Sequence, residues 1–222
     1  MRRYVFPVLM GVVGVMVLMS LGFWQMRRME EKQVYLDEIE ARIGNAPILL
    51  PAVPEEGPHK FQAVFAEGRF TGDYLEVLAG QKGASPGVLV IEAFALPDGR
   101  RIMVQRGFIE DDLRGVPRAP REAKVEGNLH WPQDTNSFTP PPDTRTGLWF
   151  ARDVPAMAAA LKTEPTLIVA SAPTGDGIAP MPVDTSGIPN DHWGYAIQWF
   201  LLAATWAGMT AFLLWRIRTR KI

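Results

Sequence analysis

The chain has 222 residues, room for one modest domain with attachments, and its 23 Lys and Arg against 24 Asp and Glu leave a formal net charge of −1. A nucleic-acid binder advertises itself as a basic stripe, so near-neutrality argues against that class and no nucleic-acid partner is expected. With no cysteine, disulfides, thiolate zinc sites, iron–sulfur clusters, covalently attached c-type haem and a cysteine nucleophile are all excluded. The three histidines, His59, His130 and His192, are far apart in sequence, which makes an all-imidazole metal cage a weak prospect.

A mean hydropathy of zero conceals two extreme segments. Tyr4 to Met26 is 23 residues without a charge, bounded by Arg3 and Arg27. As a helix it would extend about 35 Å against a hydrocarbon core of about 30 Å. It ends in Phe23, Trp24, Gln25 and a basic cluster instead of a small-x-small cleavage site, so it reads as a retained signal anchor. Beyond it Tyr35, Ile39 and Ile43 recur at i+4, predicting a juxtamembrane helical arm that stops at Gly44.

Pro47, Pro51, Pro54 and Pro58 then break the chain, and strand-like runs follow at Phe61 to Phe65, Tyr74 to Leu78, Val88 to Leu96, Arg101 to Ile109 and Val125 to Trp131. Pro97-Asp98-Gly99-Arg100 supplies the turn of a hairpin between the third and fourth. Asp153 can cap a helix that has Pro155 in its first turn and runs through Met157 to Leu161, and Thr166 to Ala170 reads as a further strand. Pro140 to Asp143 and Ala172 to Ser186 have loop composition, the second leading into another uncharged run of 23 residues, Trp193 to Trp215. Trp193, Tyr195 and Trp199 at its start and Trp215 at its end match the aromatic belts of a membrane span.

The expected fold is therefore a membrane hairpin of two transmembrane helices around a β-rich α+β extracytoplasmic domain. Its parts are a first span at 4–26, a periplasmic domain with the juxtamembrane helix at 27–187, a second span at 188–215 and a basic tail at 216–222. Arg2 and Arg3 precede the first span and Arg216, Arg218, Arg220 and Lys221 follow the second, against Arg27, Arg28 and Lys32 on the other side, which puts both termini in the cytoplasm. Residues 33–187 carry 14 basic and 21 acidic side chains, a balance suited to a translocated domain. No Arg-rich, Ser-rich transit peptide precedes the first span, so a bacterial cytoplasmic (inner) membrane is expected.

His192 is the most informative residue. With Tyr195 and Trp199 at i+3 and i+7 it sets an imidazole over two aromatic rings where the second span begins. Two readings stand: an interfacial histidine that ends the helix, or an axial ligand of a porphyrin iron whose ring the apolar rows of the spans cover. Arg27, Arg28 and Arg106 are the basic groups that would meet propionate carboxylates or lipid phosphate at the outer interface, and an arginine pair after a span is also an ordinary anchor. Glu30 and Glu31 read as solvated, His59 and His130 as structural or exposed, and Asp111 and Asp112 as a loop. Neither a phosphate-binding glycine loop, nor a Gly-x-Ser-x-Gly elbow, nor a His-Glu-x-x-His pair occurs, so no enzymatic activity is expected.

Three motifs occur in order. LGFWQMRRMEEK at Leu21 to Lys32 resembles LGxWQxxRxxxK, VQRGFI at Val104 to Ile109 resembles a valine-(asparagine)-arginine-glycine-aromatic strand, and PNDHWGYAIQWF at Pro189 to Phe200 is similar to a PNxHxxYAxxWF box. These, with EGRFTGD at Glu67 to Asp73 and WFARD from Trp149, resemble the surfeit locus protein 1 family of cytochrome c oxidase assembly factors over essentially the whole chain. Trp24, Gln25, Arg28, Arg106, Gly107, Pro189, Asn190 and Tyr195 fall on matching positions. The sequence departs from the family pattern at Gln105, Phe108, Asp191, Trp193 and Gln198.

The resemblance implies a membrane assembly factor that binds haem a transiently and assists its insertion into oxidase subunit I, with haem a synthase and membrane lipid as further partners. It assigns the iron to His192, and Tyr195, Trp199, Trp24, Gln25, Arg28 and Arg106 are the accompanying cofactor-binding candidates. The alternative is an interaction protein that stabilises an oxidase assembly intermediate without binding haem.

Overall fold

A computed structural model describes residues 2–80 and 86–219. In chain order its elements are α1 (Arg2–Gly44), β1 (Ile48–Leu49), α2 (Glu56–His59), β2 (Ala63–Ala79), β3 (Gly87–Ala95), β4 (Arg101–Glu110), β5 (Arg121–Leu129), β6 (Leu148–Trp149), α3 (Val154–Leu161), β7 (Leu167–Ala170) and α4 (His192–Thr219). The chain divides into two units, Met1–Glu38 with Thr185–Ile222, and Ile39–Asp184. Arg220 and Lys221 of the expected basic tail lie outside the described residues.

In the first unit the expected span and juxtamembrane arm are one uninterrupted helix. Between Met26 and Gly44 there is neither Gly nor Pro, and Glu, Lys, Arg, Gln, Leu and Met predominate, all good helix formers. Arg28 donates to Glu31 at 2.6 Å and Gln33 to Asp37 at 2.8 Å, pairs that one helical turn brings together. Both α1 and α4 are long and apolar enough to cross a membrane, by length and composition. They pack through small residues. Gly11 faces Thr210, Gly14 faces Trp206 and Gly22 faces Phe200 so closely that a Cβ at any of the three would run into the opposite side chain. Ala196 and Ala203, one heptad apart on α4, are buried, as expected where backbones must approach without large side chains. The Trp206 indole N–H donates to the Met10 carbonyl at 3.3 Å, and the Phe23 and Phe200 rings meet edge to face at 5.4 Å.

The second unit is a closed sheet. Its strands run β1-β2-β3-β4-β7-β5, and β5 pairs back onto β2, so the path has no long free edge; β6 adds to β2. Of the two expected strands Phe61 to Phe65 and Tyr74 to Leu78, Ala63 to Phe65 of the first and all of the second belong to a single 17-residue β2. It bends at a bulge where Thr71 to Asp73 stand opposite a single β3 residue, and Gly72 with φ +84° makes that bend. The last antiparallel strand is Arg121–Leu129 instead of Val125 to Trp131, and Asp111 to Leu113 form a 3-10 turn.

Alternation sorts β3 onto two faces. Phe94 joins Val64, Phe70, Ile102, Val104, Val125, Leu129 and Ile168 on one side. Leu89, Ile91 and Ala93 join Met103, Leu167 and the α3 residues Val154, Met157 and Leu161 on the other. Both faces are covered, which is why β3 reads as a continuous apolar run and carries no polar/apolar alternation. Asp153 caps α3 as expected, its carboxylate accepting from the Ala156 N–H at 3.0 Å. Asp153→Ala is expected to cost about 1 kcal/mol, read as a shift in the thermal unfolding midpoint.

His130 sits just past β5 against the Phe61 ring, centroids 5.3 Å apart, with Nδ1 buried and without a hydrogen-bond partner among the described residues. Burial first, and then the charges of Arg152 and Lys60, push its pKa from 6.5 to about 4. The unfolded chain takes up a proton near pH 6.5 and the folded one only near pH 4, so this contribution is complete above the first value and lost as pH falls toward the second. After allowance for its partial exposure the loss is on the order of 2 kcal/mol. Thermal unfolding followed from pH 7 to pH 4 should show this slope in the wild type and a flatter one in His130→Phe.

Candidate functional site

Within the first unit, a hydrogen bond between two side chains joins the start of α4 to α1: His192 Nδ1 lies 2.8 Å from Gln25 Oε1. The packing at Gly22 permits it. Gly22 lies one turn before Gln25, and its bare backbone lets Phe200 and the buried Ala196 close on α1, which carries Gln25 to the first residue of α4. A carboxamide oxygen can only accept, so Nδ1 is the donor in this bond, and the neutral tautomer compatible with it carries its lone pair on Nε2. This is the arrangement that fixes tautomer and orientation in ligating histidines.

Around this bond Trp199 and Gln25 are half-buried, while Trp24 and Tyr195 are exposed at 52% each. Asn190, two residues before His192, has a buried Oδ1 with no partner among the described residues, an acceptor not satisfied by the protein. Arg28 is exposed and, among the described residues, held by Glu31 alone, a surface pair of small energetic weight that leaves the guanidinium free to exchange partners. No three His, Asp or Glu side chains come together among the described residues, so the site has no ligand set for a bare metal ion. What it offers is a single oriented imidazole in an aromatic and apolar setting, which suits an iron whose other ligands arrive with a macrocycle.

Arg106 belongs to the second unit and, contrary to expectation, does not face outward. It is 1% exposed. A bulge in β4 puts it there: Val90 pairs with Gly107 and Ile91 with Gln105, leaving Arg106 as the extra residue turned into the interior. Its NH1 donates to Glu92 at 2.7 Å, its NH2 to Asp176 at 2.6 Å, and its Nε to the Thr174 hydroxyl at 2.9 Å. The guanidinium also lies 4.6 Å over the Phe70 ring. Glu92 is itself completely buried and accepts from the Gly72 N–H at 3.0 Å, so the bulge of β2 and that of β4 serve the same carboxylate. The EGRFTGD and VQRGFI motifs thus meet in one buried network, and the arginine–glycine pair has a structural role.

Glu92, Thr174 and Asp176 were not anticipated as partners. The signal available for Glu92 was a lone acid inside the apolar run Val88 to Leu96, where an unpaired carboxylate would be too costly to bury. Arg152 of the WFARD stretch bridges Asp134 at 2.6 Å and Gln105 at 3.0 Å and so ties the Asp134 loop to β4.

A sequence model of the SURF1 family matches residues 12–204. The SURF1-like protein of Monosiga brevicollis is 28% identical over 218 residues, covering 89% of this chain and 83% of that protein. The SURF1-like protein of Rickettsia felis is 25% identical over 207 residues, covering 88% and 91%, and Surfeit locus protein 1 of Rattus norvegicus is 27% identical over 227 residues, covering 91% and 72%. Because the matched region takes in most of α1, the entire sheet unit and the first part of α4, the chain belongs to the SURF1 family.

Proposed function

We propose that this protein is a non-enzymatic membrane assembly factor of cytochrome c oxidase that holds haem a transiently through His192 and assists its insertion into subunit I. Family membership supports the oxidase role, and the observation that carries the haem reading is the hydrogen bond from His192 Nδ1 to Gln25. α1 and α4 span a bacterial inner membrane, the positive-inside count directs both termini to the cytoplasm, and the sheet unit is periplasmic. Subunit I, haem a synthase and membrane lipid are the partners.

When bound, the haem would supply an iron that accepts a nitrogen donor and an apolar ring that must be kept from water. His192 presents the Nε2 lone pair, and Gln25 keeps the proton on Nδ1 so that this lone pair stays available. Trp24, Tyr195 and Trp199 supply apolar surface beside the imidazole, and the exposed Arg28, one helical turn after Gln25, is the cation for a propionate. No proton or electron transfer is required of the chain, in keeping with a carrier that turns over no substrate.

The test is the haem content of protein purified from cells that synthesise haem a. His192→Ala is expected to abolish co-purified haem and the shifted Soret band. Gln25→Leu, which removes the orienting acceptor and keeps the ligand, should lower haem affinity roughly 10-fold. Equal haem stoichiometry in wild type and His192→Ala would remove the ligand assignment. A wild type spectroscopically silent at any haem supply, yet still associated with subunit I, would leave the interaction-protein reading.

A further inference from the structure

Three guanidinium groups gather at the Thr174–Asp176 loop of the sheet unit, and only one of them is fully neutralised. Arg106 is buried and satisfied by Glu92, Thr174 and Asp176. Arg121 lies against Gly175, stacks 5.7 Å over the Phe70 ring, and among the described residues has a single ion pair, a loose one of 3.8 Å to the same Asp176 oxygen that Arg106 uses. Arg118 stacks 4.3 Å over the Tyr74 ring and makes no ion pair among the described residues. Its backbone carbonyl lies beside Gly72, the residue whose N–H binds Glu92.

The Nε atoms of Arg118 and Arg121 are both buried and have no acceptor among the described residues. Among the described residues, three cations face two carboxylates, Glu92 and Asp176, and two buried donors lack an acceptor. Asp176 is held below the usual carboxylate range: burial would raise it, and the Arg106 hydrogen bond with the charges of Arg106, Arg121 and Arg118 outweighs that.

We infer that Arg118 and Arg121, beside the Asp176 carboxylate, form a binding site for a phosphate-type oxyanion. Guanidinium groups fixed by aromatic stacking present planar N–H edges that suit such an anion, and the surplus positive charge favours it. Asp176 is the built-in competitor, because it occupies part of the same cationic field. The site is independent of the haem reading: its residues lie in the Ile39–Asp184 unit and it requires no haem. The phosphate is either a free ion or a lipid headgroup.

The experiment titrates inorganic phosphate into the full-length protein in neutral detergent, with ionic strength held constant by chloride, and follows heat of binding and the thermal unfolding midpoint. The wild type is expected to bind saturably, and Arg118→Gln and Arg121→Gln each to weaken binding about fivefold or more. Asp176→Asn removes the competing charge and should bind about fivefold tighter, with a larger phosphate-induced gain in midpoint than the wild type. A residue that only held the loop in place would give the opposite result. Non-saturable binding by the wild type, or an Asp176→Asn variant that binds no tighter, overturns the inference. Repeating the titration in phosphatidylglycerol and phosphatidylcholine nanodiscs assigns the source: loss of phosphate binding only in the anionic lipid identifies a headgroup as occupant, and unchanged binding in both identifies a soluble oxyanion.

Discussion

Arg106→Met is expected to destabilise the Ile39–Asp184 unit by about 3–5 kcal/mol, enough to lower its unfolding midpoint by roughly 10 °C. The variant leaves the Glu92 carboxyl completely buried and short of its strongest partner, with only the Gly72 N–H remaining to it among the described residues. It also frees Thr174 and Asp176, so the loop that closes over this end of the sheet loses its attachment. Methionine keeps much of the volume, and the loss therefore reports charge and hydrogen bonding more than a cavity. The double variant Arg106→Met with Glu92→Met is expected to recover most of the loss, because the penalty lies in stranding one charge of a buried pair. Midpoints of wild type, both single variants and the double variant form a cycle that checks this. A double variant no better than Arg106→Met would show that the Thr174 and Asp176 contacts carry the effect.

Gly107→Ala should cost at least about 3 kcal/mol, for a reason confined to the backbone. Gly107 has φ +140°, and a Cβ there would strike the Ala179 carbonyl. The approach is close because the next residue, Phe108, exchanges hydrogen bonds with Ala179, its N–H donating at 2.7 Å and its carbonyl accepting at 3.0 Å. Neither backbone can retreat without breaking that exchange, and Ile178 would leave its packing against Val88, Val90 and Ile109. Hydrogen exchange should become faster at Phe108 and Ala179, and limited proteolysis should cut within residues 171–184 under conditions in which the wild type resists. Unchanged protection at both amides would contradict the account.

The two predictions share one cause, the β4 bulge, and it shows where sequence reading reached its limit. The hairpin from Val88 to Ile109 was legible because Pro97 to Arg100 supply turn chemistry between two apolar runs. The α3 helix was legible because Asp153 and Pro155 are start signals that act within one turn. At the candidate site, His192, Tyr195 and Trp199 could be set on one helix face from their spacing. That Gln25 orients His192 could not be read, since the two residues are 167 positions apart and meet only because Gly22 admits Phe200.

Locally encoded features were fixed by the order of residues alone: two uncharged runs of 23, an arm without Gly or Pro, paired strands with a turn between them, and a chain without cysteine. Each depends on neighbours a few positions apart, so periodicity and capping suffice to specify it. Tertiary structure alone decided that β2 is one bent strand, that the sheet closes through β5, and that Arg106 turns inward to a glutamate. An extra residue in a strand reverses which side chains face the core, and the cost of burying a charge is offset only by a partner distant in sequence. Such choices come from the packing of the whole unit, and no short window of sequence contains them.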